Sequence, residues 1–143
     1  MDTTAQPLSQ LVSLLGSSLA LYVADAGIWT YPGSEEIKFA LAELVDDHHS
    51  LLERAGAILE ERGVPVPRHP YPIRFTATHD LDLRVLLPRI VAGLESQVVE
   101  LERTAAAGGD AEGLGLVREA ITSTRSHLND LQQVLARPRA AAG

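Results

Sequence analysis

The chain has 143 residues, 45% of them hydrophobic, a length and apolar content that fill one core and point to a single domain. It contains no cysteine, which removes disulfides, thiolate metal sites and cysteine nucleophiles and fits a reducing, cytoplasmic setting. Its formal net charge of −7 argues against nucleic acid as a partner, because phosphate binding needs Lys and Arg gathered on one face.

The stretch from Leu8 to Ala26 is interrupted by Gln10, Ser13, Gly16, Ser17, Ser18 and Asp25 and has no basic cluster ahead of it. Neither a signal peptide nor a membrane span is expected there. Leu8, Leu11, Val12, Leu15, Leu19, Tyr22, Ala26 and Trp29 recur at spacings of three and four, which predicts a first helix from Pro7 to Trp29 with one buried face. A second apolar line on that helix, Leu14, Leu21 and Ile28, is displaced from the first. A helix apolar on two faces is usually buried on two faces. Either the helix packs on its symmetry mate in a homodimer, or the segment around Ile73 and Phe75 covers it within the chain. The homodimer is the reading adopted.

Tyr31-Pro32-Gly33 ends this helix, and Ser34 followed by Glu35 and Glu36 starts the second with a hydroxyl cap and an acidic first turn. Its core face carries Ile37, Leu41, Leu44, Val45, Leu52, Ala55 and Leu59, and it ends at Gly63. Prolines at 65, 67, 70 and 72 remove backbone donors and fix extended geometry, so no helix is expected from Val64 to about Thr78. An antiparallel helix pair needs only about two to eight connecting residues. This longer, proline-rich stretch is therefore expected to cross along the bundle, with Ile73-Arg74-Phe75 as a short extended piece.

The third helix is predicted to begin near Thr78, His79 and Asp80 and to bury Leu83, Leu86, Leu87, Ile90, Leu94, Val98 and Leu101. His79, Asp80 and Asp82 read as capping and dipole chemistry. Pro88 lies inside and should kink the helix or split off a short first piece. After a turn at Ala107–Asp110, a fourth helix runs from Ala111 to Ala136, with Val117, Ala120, Ile121, Thr124, Leu128, Leu131 and Leu135 inward. Gly113 and Gly115 weaken its first turns. The domain is taken as residues 1–136, with 137–143 a flexible tail.

The segment Leu41–Pro65, with histidine at mid-helix and a Gly-containing turn followed by proline, resembles the second helix of ferritin-like and rubrerythrin-like proteins. Ser126-His127-Leu128-Asn129-Asp130-Leu131 resembles their fourth helix. The resemblance implies an all-α, ferritin-like four-helix bundle with a long crossover between the second and third helices. Di-iron chemistry in that family uses a Glu on each of two helices and Glu-x-x-His on each of the other two.

Turning each helix by about 100° per residue points His48 to the core and His127 to its edge. Three residues before them stand Val45 and Thr124, where the motif has Glu. The first helix offers Ser18 and Tyr22, and the third offers Gln97, with Glu95 and Glu102 off the inward face. Two iron ions need several anionic oxygens, and this core supplies at most one. The expectation is a degenerate ligand set with no catalytic residues and no cofactor, serving as a structural or interaction module. Tyr22, Gln97 and Thr124 would form a buried polar cluster with the two histidines. The alternative is a single iron or zinc ion on His48 or His49, His127 and an acidic neighbour such as Asp46 or Glu95; Asp46 and His49 lie on neighbouring turns at a usable bidentate spacing.

Overall fold

Apolar residues spaced three and four apart build five α-helices among the described residues, 6–68 and 71–137 of this computed structural model. They are α1 (Gln6–Gly16), α2 (Leu19–Gly27), α3 (Glu35–Glu61), α4 (Leu83–Ala107) and α5 (Ala111–Ala136), with 3-10 turns at Ile28–Thr30 and Ile73–Thr78. No strand occurs among the described residues. All five helices feed one apolar cluster that includes Leu8, Leu15, Leu41, Leu87 and Leu131. Apart from Arg137, the expected tail lies outside the described residues. No single helix among them is long and apolar enough to cross a membrane.

The first predicted helix is two helices. Gly16-Ser17-Ser18 joins three poor helix formers, and the serines offer the backbone other partners. Ser17 Oγ donates to the Ser13 carbonyl at 2.8 Å. Ser18, in extended conformation, accepts the Leu21 N–H as the N-cap of α2. α1 meets the helical stretch from Leu19 to Thr30 at 58°. The bend re-aims every later side chain. Leu21 and Ile28 are buried in the chain's own core at 4% and 7% exposure, Leu14 is partly buried, and Trp29 is 53% exposed. The apolar line proposed as a dimer contact exists only on a straight helix, and the structure removes it as a free face.

Pairs of side chains run down the α3–α5 seam with numbers falling on one helix as they rise on the other. Arg62 meets Asp110 and Glu112 at 2.8 and 2.9 Å, Arg54 meets Glu119 at 2.6 Å, His48 meets Thr124, Asp47 meets His127, and Glu36 meets Arg137. These two helices are antiparallel. α4 and α5 are joined by a short turn and pack closely, and Arg84 near the start of α4 donates to the Arg137 carbonyl just past the end of α5.

α4 starts at Leu83, later than the sequence predicts, because Asp82 Oδ1 accepts the Arg84 N–H at 2.8 Å as its N-cap, a favoured starting geometry. It continues through Pro88 without a break. As the sixth helical residue, Pro88 removes one intrahelical bond, the one its N–H would make to the Arg84 carbonyl, without ending the helix. The segment Ile73–Phe75 is part of a 3-10 turn and is not extended; Phe75 is buried while Ile73 is 86% exposed. The Leu83 N–H donates to the Pro32 carbonyl at 2.7 Å, so the start of α4 lies beside the start of α3. Gly33 permits the approach: its φ is +148°, and a Cβ there would stand 2.9 Å from Leu83 Cβ.

Candidate functional site

α3 carries His48 into the α3–α5 seam because its neighbours on that face, Leu41, Leu44, Val45 and Leu51, are all buried. His48 and Thr124 are both 0% exposed, and His48 Nε2 shares a hydrogen bond of 3.0 Å with Thr124 Oγ1. His48 Nδ1 has no partner among the described residues. Burial pushes the imidazole down to about 4, with the nearby His127 and His49 adding and Asp47 opposing. The ring is therefore neutral at pH 7. His127 lies at the rim of the same seam, its Nε2 2.5 Å from Asp47 Oδ2.

The metal-ligand candidates do not gather. His49, Asp46 and Glu95 are exposed, and the carboxylate that reaches His127 is Asp47, because one residue along a helix turns the side chain by about 100°. Among the described residues, no three His, Asp or Glu side chains are placed to hold a metal ion. The donor set does not fit a di-iron group: the buried part of the seam holds a neutral imidazole and a hydroxyl, and the carboxylate that reaches His127, Asp47, is 56% exposed at the rim. Nor can His48 and Thr124 act on a substrate where they stand, since neither side chain has exposed surface.

The polar cluster expected from Tyr22, Gln97, Thr124 and the histidines divides into three separate places. Thr124 stays with His48. Gln97 reaches from α4 to the helix break, where its Nε2 donates to the Leu14 carbonyl at 2.9 Å. That carbonyl is one of the acceptors a helix C-terminus leaves without an intrahelical donor. Tyr22, redirected by the bend, hydrogen-bonds His79 Nε2 at 2.5 Å and packs against Tyr71 and Phe75. His79 also stacks on Tyr31. Tyr71 donates to Asp25, and burial together with that bond pushes its phenol upward.

A cleft of about 660 Å³ opens where the α1–α2 break, the Ile73–Thr78 turn and α4 meet. Leu19, Phe75, Ile90 and Leu94 supply apolar wall, and Ser17, Ser18 and Gln97 supply polar groups. The exposed side chains of Arg74 and Arg89 also line it. The Arg74 guanidinium stands 5.2 Å from the centre of the Phe75 ring.

The whole architecture has a counterpart among solved structures. It is similar to the crystal structure of a conserved hypothetical protein from Mycobacterium tuberculosis. The likeness covers 99% of this chain and 96% of that one, with a TM-score of 0.73 and 14% sequence identity. At that identity it speaks for the fold alone. No protein-family model matches the chain, and no functionally curated protein matches it.

Sequence reasoning missed the cleft and the aromatic group around His79. Of the residues that the sequence offers as caps, His79, Asp80 and Asp82, it is Asp82 that caps α4, while His79 serves Tyr22. Arg74 and Arg89 carry no signal in the sequence, since their place in one cleft depends on the Ile73–Thr78 turn lying beside α4. The one available hint was Gly16-Ser17-Ser18, whose composition marks the break that forms the cleft's third side.

Proposed function

We propose that this chain is a ferritin-like four-helix bundle that has given up di-iron chemistry and works as a non-catalytic structural or interaction module. The observation that carries the reading is the His48–Thr124 hydrogen bond, set among buried leucines and valines with no buried carboxylate beside it among the described residues. A di-iron centre balances two cations with several anionic oxygens; here that position is neutral. The layout is supported by three relations. α3 and α5 are antiparallel, α4 runs antiparallel to α5 and so in the same sense as α3, and the Leu83 N–H bonds the Pro32 carbonyl. The proline-rich stretch between α3 and α4 then acts as a crossover that returns the chain along the bundle.

The competing reading is one iron or zinc ion at the seam's rim, favoured by the 2.5 Å contact between His127 and Asp47. Elemental analysis separates the two. The protein is purified without chelator, then incubated with ferrous iron anaerobically or with zinc, and gel-filtered. Retention well below one ion per chain in every condition supports the metal-free module. Retention of about one ion or more per chain, lost in His127→Ala, overturns it.

A further inference from the structure

The cleft at the α1–α2 break has features that neither the bundle's stability nor the histidine seam explains. Five arginines, Arg54, Arg62, Arg103, Arg125 and Arg137, are paired with carboxylates. Arg68, Arg74, Arg84, Arg89 and Arg118 pair with no carboxylate among the described residues, although the chain carries a net charge of −7, and of these Arg74 and Arg89 come together at one site. Both line one largely apolar cleft, whose one carboxylate, Glu100, is paired with Arg103. Gly93 lines the same cleft from the interior of α4, where glycine weakens a helix. A Cβ there would meet nothing within 4 Å, so no packing contact requires the glycine. Its structural consequence is open space in the cleft.

We propose that the cleft binds a single-tailed amphipathic anion, with its apolar chain along Leu19, Phe75, Ile90 and Leu94 and its carboxylate or phosphate held by Arg74 and Arg89. The volume of about 660 Å³ lies within the range of small-molecule sites, roughly 300–1,000 Å³. A mostly apolar lining with a few polar groups at one place is the usual composition of such sites. The planar guanidinium fork fits both carboxylate and phosphate oxygens. The two head groups share one chemistry, and the choice between them is left to the probes.

The test is titration calorimetry on the full chain with dodecanoate, dodecyl phosphate and uncharged dodecanol, each below its aggregation threshold. At least one of the two anions is expected to bind saturably and at least about tenfold tighter than dodecanol, a factor in keeping with charge-assisted hydrogen bonds. R74Q/R89Q should erase that preference. G93L should abolish binding of all three probes while unfolding at the same temperature as the native chain or higher, because it fills open space and removes a helix glycine. Because R74Q/R89Q alters only exposed side chains, the charge arm stands even if G93L folds poorly. The proposal is overturned if no probe saturates, if dodecanol matches both anions, if R74Q/R89Q keeps the preference, or if a folded G93L binds as the native chain does.

Discussion

His48 on α3 and Thr124 on α5 are joined by a 3.0 Å hydrogen bond between two fully buried side chains. The pairing has two consequences. The bond satisfies one polar atom of each residue in an apolar seam, and the burial around it holds His48 neutral in a place where a proton would be costly. Removing the hydroxyl while keeping the shape isolates the first effect. Thr124→Val should leave His48 with neither ring nitrogen bonded and lower stability by about 1–3 kcal/mol, read by urea denaturation at pH 7. A change within about 0.3 kcal/mol would mean that the bond contributes nothing net.

The second effect appears in pH dependence. Burial first, then His127 and His49 against Asp47, depress His48 from 6.5 to about 4. The unfolded chain then binds more protons than the folded one between those values. The contribution is complete above pH 6.5 and is lost as pH falls toward 4, on the order of 3 kcal/mol in all. Urea unfolding from pH 7 to pH 4 should show the native chain losing that much more than His48→Gln. Parallel losses in the two proteins would place the proton elsewhere.

Leu21 separates a core residue from an interface residue. Its 4% exposure within one chain predicts that Leu21→Ala costs about 2–5 kcal/mol. The cost should be the same across about a hundredfold range of protein concentration, since only binding to a partner makes stability depend on concentration. A small cost at low concentration that grows at high concentration would restore the contact between chains.

Two glycines in one helix should respond in opposite directions. At Gly115 a Cβ meets nothing within 4 Å, and Gly115→Ala should stabilise by up to about 1 kcal/mol through helix propensity. At Gly113 the Cβ would stand 2.6 Å from Asp110 Oδ1. Asp110 is the N-cap that accepts the Gly113 N–H and pairs with Arg62. Gly113→Ala should therefore cancel the propensity gain or destabilise by about 1 kcal/mol through loss of the cap. Thermal unfolding of the two variants checks the sign, and equal gains would show that the cap yields at no cost.

The helical class, the α3 start at Ser34, the turn before α5 and the inward direction of His48 and Thr124 were legible in the sequence. Each rests on near neighbours: apolar spacing of three and four, a capping hydroxyl or carboxylate, and a glycine pair that ends a helix. The exposure of His49 was legible for the same reason, since adjacent residues on a helix cannot share one direction.

What only the tertiary structure decided was which side chains meet. Apolar periodicity continued through Gly16-Ser17-Ser18, so the sequence alone supported one straight helix, one line of Leu14, Leu21 and Ile28, and one polar cluster around Tyr22. The 58° bend sent Tyr22 to His79, left the Leu14 carbonyl for Gln97 and opened the cleft between two arginines. A helix break of this kind depends on weak local preferences balanced against packing with α3 and α4. Partners of that sort, many residues away along the chain, leave no spacing for the sequence to display.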